Sequence, residues 1–190
     1  MMLGGATNKH EFPPPRALLA DGLTFSRAVV ALAVVWLGVS QGAASLPMVV
    51  VLLTVAWVTD WIDGPLARSA GRPTLLGRFD FPIDVGLTWA TFLYLALAGF
   101  VPLAAVLLYT LLALGAQLWC RRRVVLMLFM RGIDILIGVM VLRYAPVFLA
   151  PFVVLLVVFA IARRKRLQRQ TKLALAELAT IARGCNESPS

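Results

Sequence analysis

The sequence predicts an all-α integral membrane protein of six transmembrane helices, with both termini cytoplasmic and a short interfacial helix ahead of the first span. Three observations carry that expectation. Hydrophobic residues make up 61% of the 190 positions and charged residues 14%, where a soluble domain is nearer half and a quarter. The mean hydropathy is +0.87. The basic residues gather in alternate connections between apolar runs, the pattern of a chain that crosses a bilayer repeatedly. At about 20 residues per span, six spans use most of the length and leave room for a single membrane domain. Its parts are a lead (1–22), a six-helix bundle (23–162) and a basic tail (163–190).

The elements follow from apolar length and turn chemistry. His10–Pro15 reads as a loop, and Arg16–Ala20 as the short interfacial helix. The spans are expected at 24–41, 47–65, 80–99, 102–120, 128–144 and 146–162. Between them stand Ser40-Gln-Gly42, Pro47, Gly71-Arg-Pro73, Pro102 and Ala145-Pro146, residues that end or redirect helices. The fourth-to-fifth boundary is the least marked, because apolar Val124–Met130 could extend either helix. Beyond the last span, Leu173, Leu175, Leu178 and Ile181 recur at roughly helical spacing, as in an amphipathic helix on the membrane surface or a solvated one.

Orientation comes from the cations. Lys9, Arg16 and Arg27 lie in the N-terminal segment, Arg68, Arg72 and Arg78 in the second connection, and Arg121, Arg122, Arg123 and Arg131 in the fourth. The tail is basic, and only Arg143 of the 18 lysines and arginines falls on the other side. That places both termini and the second connection in the cytoplasm of a multi-pass cell-membrane protein. The net charge of +9 is then topology plus attraction to anionic membrane lipids, and no nucleic-acid partner is expected. Cys120 and Cys185 both face the reducing side, so no disulfide is expected.

One stretch departs from the apolar pattern. TDWIDGPLARSAGRPTLLGRFDFPIDV, from Thr59 to Val85, holds four of the nine acidic residues. Asp60 and Asp63 share a helical face at the end of the second span, and Asp80 and Asp84 share one at the start of the third. The connection is short, so the two pairs meet at one membrane depth. An intramembrane aspartate costs about 2.5–3.5 kcal/mol on the lenient insertion scale, and four together need positive charge. Arginine could supply some of it. Clustered oxygen ligands suit Mg²⁺ or Mn²⁺ better, and a pair of such ions could clamp a diphosphate. Between the pairs, Gly64 admits a ligand close to the backbone, Ala67 keeps the next turn open, and Arg68 can reach phosphate oxygens with two nitrogens.

Asp60-x-x-Asp63-Gly64-x-x-Ala67-Arg68, eight residues on to Gly77, then Asp80-x-x-x-Asp84, resembles the signature of the CDP-alcohol phosphotransferases. Asp21-Gly-Leu-Thr24-Phe-Ser-Arg27 resembles that family's lead-in to its first span. The resemblance implies an enzyme that passes the phosphatidyl group of a CDP-linked lipid, usually CDP-diacylglycerol, to an alcohol and releases CMP. It implies two divalent cations on Asp60, Asp63 and Asp80. Asp84 would be the general base, with a share in the metal. Gly64, Ala67, Arg68, Thr74 and Gly77, with Asp21 or Thr24 from the first span, would line the nucleotide pocket. Homodimers are usual in the family. Two features depart from its pattern. Two residues rather than three separate Gly77 from Asp80, through a shorter loop or with Leu76 in the glycine's place, and Pro65 would kink a continuing helix.

The acceptor is less legible. Arg121, Arg122, Arg123 and Arg131 could bind the phosphate of glycerol 3-phosphate or inositol phosphate, or serve only as topology determinants; Arg131 and Asp134 are spaced to pair. Two other readings compete with the enzyme: a transporter with an acidic cation site, and an inactive family member acting as a partner subunit.

Overall fold

The computed structural model describes residues 15–69, 78–148, 150 and 153–154. Among them every regular element is helical: α1 Pro15–Gln41, α2 Leu46–Ser69, α3 Asp80–Leu97, α4 Leu103–Cys120 and α5 Arg123–Tyr144, with a 3₁₀ turn at Gly42–Ser45. Three stretches are long and apolar enough to cross a membrane, Asp21–Asp60, Leu103–Cys120 and Arg123–Tyr144. The first runs from within α1, through the turn, into α2.

Local chemistry accounts for the breaks. α1 stops where Gly42 takes a left-handed φ of 56°, and Ser45 Oγ closes the turn by donating to the Gly42 carbonyl at 2.7 Å. Pro47 is then tolerated in the first turn of α2, where its missing N–H has no helical acceptor. α3 ends in a Schellman motif: Gly99 has φ of 78°, its N–H bonds the Ala96 carbonyl at 3.0 Å, and Phe100 N–H bonds the Leu95 carbonyl at 2.9 Å. Extended Pro102 starts α4, and Ala145-Pro146 interrupts the chain after α5.

α3 lies at the centre, packed against α1, α4 and α5, and α1 also packs on α2. Its Phe92, Tyr94 and Leu95 form the core with Val34 of α1, Val49 of α2 and Ile133 of α5. Gly38 lets α1 approach closely, since a Cβ there would lie 3.1 Å from Tyr94 Cδ2. Trp89 Nε1 of α3 donates to Thr110 Oγ1 of α4 at 3.1 Å. Tyr109 of α4 donates to the Phe129 carbonyl of α5 at 2.8 Å, and its ring meets Phe92 and Phe129 edge-on. The outer faces carry exposed Leu32, Trp36, Leu111, Trp119 and Ile135, apolar surface that suits lipid rather than water.

Three expectations change. The interfacial helix is not separate: Pro15–Gln41 is one helix of 27 residues. At 1.5 Å per residue it is about 40 Å long, more than the roughly 30 Å of hydrocarbon it would cross, so one helix can serve both as interfacial lead and as span. α5 begins at Arg123 rather than 128, because the chain reverses at Arg121 and Arg122 alone. α2 runs past its expected end at 65 and continues through Pro65 to Ser69. The sixth expected span lies largely outside the described residues, and the amphipathic tail wholly so.

Candidate active site

At the end of the bundle where α2 finishes and α3 begins, three helices deliver charge to one point. α2 brings Asp60, and the first two turns of α3 bring Asp80 and Asp84. α1 brings Thr24 and, one turn further on, Arg27. Carboxylate oxygens of Asp60, Asp80 and Asp84 all lie within 4.8 Å of one another.

Arg27 ties the three together. Its Nη1 donates to Asp60 Oδ1 at 2.9 Å and to Asp84 Oδ1, while Nη2 donates to Asp80 Oδ1 and to Thr24 Oγ1 at 3.4 Å. Thr24 Oγ1 in turn donates to Asp80 at 3.4 Å. The arginine side chain is 1% exposed, whereas those of Asp60, Asp80 and Asp84 are 49%, 40% and 32% exposed. The guanidinium is therefore the buried floor of the cluster, and the carboxylates are its open rim. Among the described residues one guanidinium faces three carboxylates held this close, an arrangement that favours cations.

The donor set fits a hard divalent cation. Carboxylate oxygens are the preferred ligands of Mg²⁺ and Mn²⁺. Here three of them converge from two helices on a face that solvent reaches. Asp63 follows Asp60 by three residues on α2, so its backbone position is on the same helical face.

Of the residues expected at the site, the structure brings together Thr24, Asp60, Asp80 and Asp84. Asp21 stands one turn before Thr24 on α1. Asp63, Gly64, Ala67 and Arg68 fall on the last two turns of α2, of which the backbone alone is described, and Thr74 and Gly77 lie outside the described residues. The Arg123 guanidinium lies 5.7 Å from the centre of the Phe81 ring. That contact sets the α4–α5 turn, with Arg121 and Arg122, beside the start of α3. Arg131 stands about two turns further along α5 and pairs with Asp134 at 2.8 Å, as its spacing predicts.

Sequence reasoning passed over Arg27 as a site residue and counted it among the topology determinants. The signal was present. Asp21, Thr24 and Arg27 recur at three-residue steps on one side of α1, and the aspartate cluster called for a cation.

Neither the comparison with curated proteins nor that with solved structures finds a match. The family model described as CDP-alcohol phosphatidyltransferase matches residues 17–182, which includes every element of the site. With its aspartates gathered at one end of a helical bundle and most of its length matched, the chain belongs to the CDP-alcohol phosphatidyltransferase family.

Proposed function

We propose that the protein transfers the phosphatidyl group of CDP-diacylglycerol, or a similar CDP-linked lipid, to a hydroxyl of a polar alcohol such as glycerol 3-phosphate or inositol phosphate, releasing CMP. The observation that carries this reading is the convergence of Asp60, Asp80 and Asp84 on one point, within the stretch that matches the family. Asp60, Asp63 and Asp80 would hold two divalent cations, Mg²⁺ or Mn²⁺, which supply charge neutralisation at the diphosphate when bound. Asp84 would serve as the base. The acceptor oxygen bonds to the phosphatidyl phosphorus, the bond from that phosphorus to the CMP oxygen breaks, and the hydroxyl proton passes to the Asp84 carboxylate.

The remaining residues divide by position. Gly64, Ala67, Arg68, Thr74 and Gly77, with Asp21 and Thr24 from α1, would line the nucleotide pocket. Arg121, Arg122, Arg123 and Arg131 would be the candidates for an acceptor phosphate, Arg131 being also paired with Asp134. The basic connections support six spans in one domain, with both termini and the site on the cytoplasmic side of the cell membrane. There a nucleotide stays hydrated while acyl chains stay in lipid. A homodimer is part of the same reading.

The test is direct. Purified protein with labelled CDP-diacylglycerol, Mg²⁺ or Mn²⁺ and a panel of alcohols should release CMP with one or more of them. Excess EDTA should abolish release, and added metal should restore it. Undiminished release in EDTA would sink the metal assignment, and silence with every alcohol would favour a partner subunit over an enzyme.

A further inference from the structure

Arg27 stands where a cation would. Oδ1 of Asp60 and of Asp84 accept from Nη1, and Oδ1 of Asp80 accepts from Nη2, so the edge of the guanidinium binds the same three carboxylates that converge within 4.8 Å. A Mg²⁺ ion held by those oxygens would need each at about 2.0–2.1 Å, so the ion and the guanidinium compete for the same three carboxylates.

We propose that Arg27 is the built-in counter-ion of the metal-free site, and that a divalent cation binds these carboxylates by displacing it. This rests on the metal-dependent reading above. The burial pattern is that of an exchange from the open side. The carboxylates are one-third to one-half exposed, and the arginine beneath them is 1% exposed. Between loadings the guanidinium keeps the carboxylates of α2 and α3 from repelling one another apart. During loading its departure lowers the apparent metal affinity, because only the fraction of molecules with Arg27 withdrawn can bind. Its planar fork matches phosphate oxygens as well as carboxylates, so a bound diphosphate offers it a new partner.

The sign of one measurement decides between this and a merely supporting arginine. Mn²⁺ binding to the full-length protein, without nucleotide, is followed by the loss of the free-ion EPR signal. Displacement requires Arg27→Gln to bind Mn²⁺ more tightly than wild type, on the order of tenfold if Arg27 occupies the site nine-tenths of the time. The same variant should melt lower than wild type in EDTA and gain more from Mn²⁺. If Arg27 only holds the carboxylates in place, its loss leaves binding weaker or unchanged, and either result overturns the proposal. Should Arg27→Gln fail to fold without metal, Arg27→Lys keeps the charge but lacks the fork, and tighter Mn²⁺ binding is again required. Equal affinity in wild type and variants would sink the displacement alone. No Mn²⁺ binding by any of them would sink the metal assignment and the displacement with it.

Discussion

Asp84 and Asp63 are close in sequence but are given different work, and substitution can separate them. Asp84→Asn keeps the side chain's shape and removes the base. CDP-lipid binding should survive while turnover falls by about 10²–10⁴, measured as CMP release beside equilibrium binding of the lipid. Asp63→Asn removes charge from the metal cluster, so metal and CDP-lipid binding should fall together. Wild-type turnover in Asp84→Asn would show the base to be wrong. The aspartates were legible in the sequence because intramembrane carboxylates are costly and stand out. Their partner was not, because the pairing is long-range. Arg27 lies 33, 53 and 57 residues from Asp60, Asp80 and Asp84, and only the packing of α1 against α2 and α3 brings them together.

At the level of elements, the α4–α5 pair depends on one absent side chain. A Cβ at Gly132 would lie 2.2 Å from the Tyr109 hydroxyl oxygen, and 3.4 Å from the ring carbon that carries it. Gly132→Ala should therefore push Tyr109 off the Phe129 carbonyl and cost about 1–3 kcal/mol, the range for stranding a buried polar group. Removing the hydroxyl removes the clash, so Tyr109→Phe should restore much of the loss, read from thermal unfolding of the two single variants and the double. Additive losses would mean the two positions do not meet. Helix ends were legible where glycine or proline marked them, as at Gly42 and Pro102. The start of α5 was not. The chain reverses there with Arg121 at a φ of 48°, a conformation that an arginine does not advertise, and apolar Val124–Met130 continues the pattern on both sides.

For the molecule as a whole, the apolar outer surface leaves open which faces meet lipid and which meet a second copy. Gly86 and Ala90 make a small-residue pair on α3, a type that permits close helix approach. Among the described residues, a Cβ on Gly86 would have nothing within 4 Å. Gly86→Leu should leave the melting of the single chain unchanged. If this face is the dimer contact, the variant should shift the protein toward monomer in light scattering of the detergent-solubilised sample. An unchanged dimer fraction would place the contact elsewhere.

Arg27 also has a place in time. It is made before Asp60, Asp80 and Asp84, and at about 5–20 residues per second synthesis separates it from them by seconds. During that interval α1 carries an arginine whose carboxylates have not yet left the ribosome. A long side chain near a helix end can reach the interface meanwhile. The order of synthesis is thus cation first and anions after, so that each newly inserted aspartate finds its opposite charge already waiting in the bilayer.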